Sequence, residues 1–248
     1  MKNFKLYSIL ISFLILAFLP KGAFAGDYAS LNFIGFSNDG KYLAFEEYGW
    51  QDGSGFPYSN YFFVDVAKNV FAAPPVRKLI EKENVTENSI RSAAKKAAAA
   101  NLKKFKIVQG NVGKLVVARL LTDLDAFKLA PGGEVKDQTV RFTDEISSNY
   151  FENEFELSLK TSEVKIKECE YNYEPVLKFE LMLKNLRSDL ASTLQNDKSL
   201  PASRNCPHTY SIQNVYLYQN KIAVFMNVYT MGFEGPDMRY MVVSGEYR

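Results

Sequence analysis

The chain has 248 residues, of which 47% are hydrophobic and 14% aromatic, and its formal net charge is +2 at pH 7. So small a charge gives no electrostatic reason to expect nucleic acid or an anionic membrane surface as a partner. The many Tyr and Phe residues favour strands over helices, so the composition predicts a mainly β protein.

The first 25 residues have the pattern of a secretory signal peptide. Lys2 and Lys5 precede an apolar run over 6–19, and an Ala-Phe-Ala motif ends at Ala25. This order predicts cleavage after Ala25 and a secreted, periplasmic protein. The run is shorter than the roughly 20 residues that span a bilayer, so an uncleaved anchor is the weaker alternative. No transmembrane segment is predicted after cleavage.

A hairpin opens the mature chain. Residues 29–36 and 41–48 alternate in hydropathy, and Asp39-Gly40 between them favours a tight turn. In the second strand, Leu43 and Phe45 are expected on one face, with Tyr42 and Ala44 on the other. A Gly- and Pro-containing loop follows, and 61–66 is then a strand whose continuous apolar centre predicts burial on both faces.

One helix is expected, over 87–104. The sequence Asn84-Val85-Thr86-Glu87 fits a capping box with Asn84 as the N-cap, and the following residues are rich in Ala and Lys. An apolar stripe of five residues should face the core: Ile90, Ala94, Ala97, Leu102 and Phe105.

The rest of the chain is predicted to form mainly strands. Residues 115–124 are ambiguous between strand and helix, and 187–200 have room for a short helix. Strands are predicted at 138–142, 154–160, 163–171, 176–185, 210–218, 221–229 and 239–245. With no low-complexity linker, we expect one secreted domain over 26–248. The fold class is mainly β with one helix (α+β), as a β-sandwich or as partial propeller-like antiparallel sheets.

The two ends of the mature chain are similar. Residues 36–48 align without gaps on 216–228, and each hairpin is followed by a Gly/Pro loop and an aromatic-led strand, at Tyr61 and at Tyr240. This predicts an internal duplication of a hairpin-loop-strand unit, with chance similarity as the alternative. Residues 36–45 also resemble the hairpin of one propeller blade, but a full propeller needs at least four blades.

Cys169 and Cys206 are the only cysteines, and in an oxidising compartment an even count predicts a disulfide. A reactive thiol or metal ligands are the alternatives. A metal site would need further ligands nearby, and His208 is the only histidine. No cofactor motif and no serine-hydrolase motif is present, so we expect no cofactor, no metal site and no catalytic triad.

Two loops are the best candidates for binding, because they combine aromatic anchors with glycine and polar groups. Their candidate residues are Trp50, Asp52, Phe56 and Tyr58 in the first loop, and Phe233, Glu234 and Asp237 in the second. If the duplication is real, both loops could lie at the same end of the sheets. The alternative is that the aromatic side chains close the core.

The mature chain resembles the uncharacterised predicted secreted protein family of bacteria, a domain of unknown function. The similar stretches are 35–66, the Ala/Lys helix, 200–206 and 232–245. The resemblance implies secretion and provides no catalytic residues.

We therefore expect a non-enzymatic binding or accessory protein of the cell envelope, with an envelope protein or a glycan as partner. One alternative is a carbohydrate-active envelope hydrolase that uses loop carboxylates such as Glu234 and Asp237. The other alternative is a purely structural secreted factor.

Overall fold

The computed structural model describes residues 26–82, 84–120, 138–144, 153–233 and 235–247. The predicted signal peptide and Glu234 lie outside the described residues. Within them, thirteen strands and the helix α1 (Glu87–Lys104) are formed. The strands are β1 (Ser30–Phe36), β2 (Tyr42–Trp50), β3 (Pro57–Asp65), β4 (Val70–Phe71), β5 (Val76–Leu79), β6 (Lys114–Ala118), β7 (Gln138–Asp144), β8 (Asn153–Glu163), β9 (Leu177–Asn185), β10 (Ala191–Asn196), β11 (Pro207–Tyr218), β12 (Lys221–Met231) and β13 (Pro236–Glu246).

The strands form three antiparallel sheets that pack in layers. Sheet 1 has the order β1-β2-β3-β4, with β5 also paired to β3. Sheet 2 has the order β13-β12-β11-β6, and sheet 3 has the order β10-β9-β8-β7. One face of sheet 2 packs on sheet 1 and the other on sheet 3, while α1 covers the outer face of sheet 1. The expected mainly β fold with one helix is confirmed, with three stacked sheets.

Strands in the middle of this stack contain continuous apolar runs because both of their faces are buried. In β12, Val224 and Met226 pack against sheet 3, whereas Ala223 and Phe225 pack against sheet 1. In β3, Phe62 and Val64 face sheet 2, whereas Tyr61 and Phe63 face α1. The burial predicted for 61–66 on both faces is confirmed.

The helix has the predicted bounds but a different cap. Asn84 has a positive φ of 59° and precedes the helix by two further residues, so it is not the N-cap. Thr86 is extended, and its Oγ1 accepts a hydrogen bond from the Ser89 N–H at 3.3 Å. The stripe also differs at one position: Ala98 is buried with Ile90 and Ala94, and Ala97 is exposed, because the contact follows an i, i+4 row.

Two predicted elements were wrong. The segment 163–171 is not a strand: β8 ends at Glu163, and Lys167–Cys169 forms a 3-10 turn where the chain is held by the disulfide. The segment 187–200 contains β10 instead of a helix, since it pairs with β9 and closes the edge of sheet 3. The ambiguous segment 115–124 begins as a strand, β6, which pairs with β11.

The N-terminal meander (β1–β3) and the C-terminal meander (β11–β13) have the same register. Phe36 pairs with Leu43, and Phe45 pairs with Phe62. Adding 180 to these four numbers gives the pairs Tyr216–Ala223 and Phe225–Val242, which are also formed. The first strand of each meander also carries a bulge, but at positions that differ by one residue: between 33 and 35 in β1 and between 212 and 214 in β11. These matched registers support the predicted duplication.

The third strands correct one detail of that alignment, because the register pairs Tyr61 with Glu46 and Met241 with Met226. Tyr61 therefore corresponds to Met241, one residue beyond the expected Tyr240. The two meanders also face each other. The rings of the equivalent residues Phe45 and Phe225 meet edge to face, with centroids 5.4 Å apart.

Candidate functional site

The two candidate loops lie at the same end of sheets 1 and 2. The β2–β3 loop leaves sheet 1 after Trp50, which pairs with Pro57, and the β12–β13 loop leaves sheet 2 after Met231. Asp27 connects them. Its backbone N–H donates to Asp237 Oδ1 at 2.9 Å, and its Oδ1 accepts from the Tyr58 hydroxyl at 2.9 Å. We call this end of the molecule the loop end.

Large apolar side chains are exposed at the loop end. Phe233 is 91% exposed, and Trp50 and Met231 are 43% and 44% exposed. Tyr28 stands beside them, since its ring contacts Tyr229 and its backbone carbonyl lies against Gly49. We call Tyr28, Trp50, Met231 and Phe233 the aromatic rim.

Two of the predicted binding residues lie beneath the rim and not in it. Tyr58 is 5% exposed and packs between sheets 1 and 2, so its role there is structural. Phe56 is half-buried, and its carbonyl accepts a hydrogen bond from the Gln51 N–H that closes the loop. The two loops lie at one end, as the duplication predicted, but the sequence did not separate exposed rings from buried ones.

A buried polar network joins sheets 1 and 2 at the loop end. The Arg239 guanidinium forms an ion pair with the Asp27 carboxylate, and its Nη1 donates to the Asp27 carbonyl at 2.7 Å. The same guanidinium lies 4.9 Å from the centre of the Tyr58 ring. Burial raises the pKa of the Tyr58 hydroxyl, which stays protonated and donates to Asp27. Asp27 thus ties sheet 1 to the edge of sheet 2.

Glu47 extends this network between the sheets. Its carboxylate is 3% exposed and accepts the backbone N–H of Tyr240 at 2.8 Å and the Asn60 side chain at 3.3 Å. Burial raises the pKa of this carboxyl group above its usual range. Sequence reasoning missed Asp27, Arg239 and Glu47 as supports of the site. Adjacent acids at 46–47, in an otherwise apolar strand, were a usable signal, because such residues need polar partners on both faces.

The carboxylates of Asp52 and Asp237 interact electrostatically at the loop end. Asp52 Oδ1 accepts the Gly53 N–H at 2.8 Å, and its Oδ2 is buried without a hydrogen-bond partner among the described residues. Burial raises the pKa of Asp237, and the charges of Asp27 and Asp52 act in the same direction. Two such groups are fewer than Ca²⁺ requires. Among the described residues, no three His, Cys, Asp or Glu side chains are placed to hold a metal ion.

The disulfide lies at the loop end as well. Cys169 and Cys206 are bonded, and β11 begins directly afterwards at Pro207, in the register of Thr230. Two tyrosines follow Cys169 in the segment that the disulfide fixes, and they are almost completely exposed: Tyr171 at 89% and Tyr173 at 95%. Sequence reasoning missed both, although two tyrosines in a polar stretch beside a bridged cysteine were visible in the chain.

Comparison with known proteins identifies the family. Residues 44–246 match the model of the predicted secreted protein family DUF2259. The chain belongs to this family. The resemblance inferred from the sequence is thereby confirmed, and with it the description of a predicted secreted protein of unknown function. No curated protein matches the chain. Over the part of the chain that the structure describes, no helix has the length and hydropathy needed to cross a membrane.

Proposed function

We propose that this member of DUF2259 is a non-enzymatic binding or accessory protein of the cell envelope, located in the periplasm, which binds its partner with the aromatic rim. The observation that carries the proposal is the exposure of Trp50, Met231 and Phe233 on two loops that lie at the same end of the molecule. The signal-peptide pattern and the disulfide both suit an oxidising compartment outside the cytoplasm.

The rim has the properties of a recognition surface because its exposed side chains lie at the ends of strands that a polar network joins. Aromatic side chains supply large contact areas with few rotatable bonds. Below them, Asp27 is held through its N–H, its carbonyl and both carboxylate oxygens. A surface that is already ordered loses little conformational entropy on binding, which favours affinity.

The class of partner follows from the same surface. Aromatic rings beside the Asp52 and Asp237 carboxylates suit either an extended protein segment or the face of a sugar, because both combine apolar patches with hydrogen-bond donors. We therefore propose an envelope protein or an envelope glycan as the partner.

The proposal is tested by chemical crosslinking in the cell, followed by mass spectrometry of the species captured in the envelope fraction. The test variant is Trp50→Ala with Phe233→Ala, and the matched control is Phe71→Ala, which removes an exposed ring (53%) from β4. We expect one reproducible crosslinked partner with wild type and with the control, lost in the test variant. Equal capture by both variants, with both folded, would refute a role for the rim.

A second candidate is a glycoside hydrolase that uses the carboxylates of Asp52 and Asp237. The raised pKa of Asp237 beside a second carboxylate favours it, since such a pair can divide into an acid and a base. The test is the release of soluble fragments from purified cell-wall glycan. A hydrolase should release fragments as wild type and not as Asp237→Asn, whereas the binding protein should release none in either form.

A further inference from the structure

A polar cavity lies on the face of sheet 1 that α1 covers, between β1, β2, the helix and the segment that follows the helix. Its volume is about 360 Å³, within the range of small-molecule sites. Glu46 and Arg91 form its polar base, and Ile34, Leu102 and Ile107 form its apolar wall. We call this cavity the helix cleft.

The Glu46 carboxylate at the base of the cleft has no hydrogen-bonding capacity left. It is 1% exposed and accepts four hydrogen bonds, which is about the number that a carboxylate can accept. Oε1 accepts from Arg91 Nε at 3.0 Å and from the Ser59 hydroxyl at 2.9 Å. Oε2 accepts from Arg91 Nη2 and from Asn32 Nδ2, both at 2.8 Å. A ligand in the cleft therefore finds no free acceptor on Glu46.

The donors of the cleft are only partly used. Arg91 has five N–H groups, of which two bind Glu46, and its Nη1 lies 3.5 Å from Glu87 at the edge of the hydrogen-bonding range. Lys95 has three N–H groups and contacts Gln109 Oε1 at 3.3 Å. The cleft thus offers a ligand N–H donors and positive charge, next to an apolar wall.

The C-terminal meander indicates that the buried ion pair is not needed to build this sheet. Asn32 and Glu46 occupy the register of Ile212 and Met226, which are buried against sheet 3 in an apolar core. A buried ion pair commonly adds no net stability relative to apolar side chains of similar volume. Since the same backbone register forms with apolar residues, the sheet itself does not require the charged pair, and the spare donors of Arg91 remain available to a ligand in the cleft.

We propose that the helix cleft binds a small organic carboxylate. The ligand carboxylate accepts hydrogen bonds from Lys95 Nζ and from the free Nη N–H groups of Arg91, which suits the charge-assisted geometry of both donors. The apolar body of the ligand lies against Ile34, Leu102 and Ile107. This binding is separate from the aromatic rim and does not depend on the function proposed for it.

The test is titration of the secreted, disulfide-bonded protein, followed by amide NMR shifts. The probes are hexanoate and benzoate, each compared with its neutral amide, and an acetylated alanyl dipeptide acid that represents a peptide carboxyl terminus. We expect saturable shifts in residues around 88–95 and 107–109 with acids and not with hexanamide or benzamide. Tighter binding of the dipeptide acid assigns the cleft to peptide termini, and tighter binding of hexanoate or benzoate assigns it to free acids.

Variants on neighbouring residues of one helix provide the control. Lys95→Met should weaken acid binding at least tenfold, whereas Lys96→Met, which removes an exposed lysine outside the cleft lining, should change it less than twofold. Ser92→Trp should fill the cleft and abolish binding while the spectrum stays that of a folded protein. The proposal is overturned if no acid gives saturable shifts, if acids and amides bind equally, or if the two lysine variants behave alike.

Discussion

The two meanders have the same backbone register but bury very different side chains on their outer faces. In the C-terminal meander, the outer face packs on sheet 3 through residues such as Met226 and Val243. In the N-terminal meander, the equivalent face carries the ion pair of Glu46 and Arg91 beneath α1. The comparison shows that hydrogen bonding and register do not dictate the chemistry of the outer face. The chemistry of the outer face depends on the layer that packs on it. A single helix covers less of the face than a sheet does, which leaves room for a cleft.

The largest effect is expected where the meanders meet. Phe225→Ala and Phe45→Ala should each lower the free energy of unfolding by about 3–5 kcal/mol, because each removes a fully buried ring. The double variant should lose about 0.5–1.5 kcal/mol less than the sum of the single losses, since the two rings contact each other. Urea unfolding measures all three, with Phe71→Ala as the exposed control. Strict additivity would contradict direct packing between the meanders.

The first strands of the two meanders are held in place by different contacts. Removing the disulfide tests this difference. β1 is preceded by Asp27 and its polar network, whereas β11 is preceded by the bond between Cys169 and Cys206. The bond closes a loop with a sequence separation of 37 residues. Replacing both cysteines by Ala should lower the free energy of unfolding by about 3–4 kcal/mol in the chain-entropy model. Equilibrium unfolding of the variant measures this loss. A loss below about 1 kcal/mol would mean that the strand is fixed by other contacts.

Breaking the ion pair under the helix should lower the free energy of unfolding nearly as much as removing the disulfide does. Arg91→Met leaves the Glu46 carboxylate buried without its cation, and we expect a loss of about 3 kcal/mol. Unfolding by urea measures the loss, and Lys95→Met is the control, expected within about 0.5 kcal/mol of wild type because Lys95 is exposed.

Replacing both charged residues and Ser59 by apolar residues should reverse that loss. In Glu46→Met, Ser59→Ala and Arg91→Met combined, no buried charge and no buried hydroxyl remains unpaired. The outer face of the N-terminal meander then becomes apolar, like the equivalent face of the C-terminal meander. We expect stability within about 1 kcal/mol of wild type or above it. A triple variant as unstable as Arg91→Met alone would show that the ion pair is structural.

The smallest effect concerns Glu47, whose counterpart in the C-terminal meander is Asn227. Burial raises the folded-state pKa of Glu47 above the reference value of 4.5. The stability from this carboxyl group is therefore fully present below the unfolded-state pKa and is lost as pH rises through the folded-state pKa. Glu47→Gln, which keeps an acceptor for Tyr240, should be as stable as wild type near pH 4 and more stable than wild type at pH 8. Urea unfolding at both pH values decides this, and an equal difference at the two values would contradict the raised pKa.

Local patterns in the sequence predicted most of the elements. Alternation identified β1 and β2, and the Ala/Lys composition gave the bounds of α1. Where the pattern was ambiguous, the outcome depended on distant partners: β10 is a strand because it pairs with β9. Likewise, 163–171 turns because a disulfide holds it. Neither condition is visible in a local window of sequence.

The loop end was predictable in position but not in detail. The similarity between 36–48 and 216–228 correctly indicated that the two loops could share an end. It did not reveal that Asp27 joins them, because the contacts of Asp27 with Asp237 and Arg239 span more than 200 residues of sequence. Nor could local pattern show that Tyr58 points between two sheets while Phe233 points outward. Those differences arise from how the layers pack.

The most direct test of the proposed binding function compares photo-crosslinking from two exposed aromatic positions in the cell. A photoreactive phenylalanine analogue replaces Phe233 on the aromatic rim in one protein and Phe71 on β4 in the other; their exposures are 91% and 53%. Our account predicts a discrete crosslinked species from position 233 and none from position 71. The absence of a species at position 233, or the same species from both positions, would contradict a binding role for the rim.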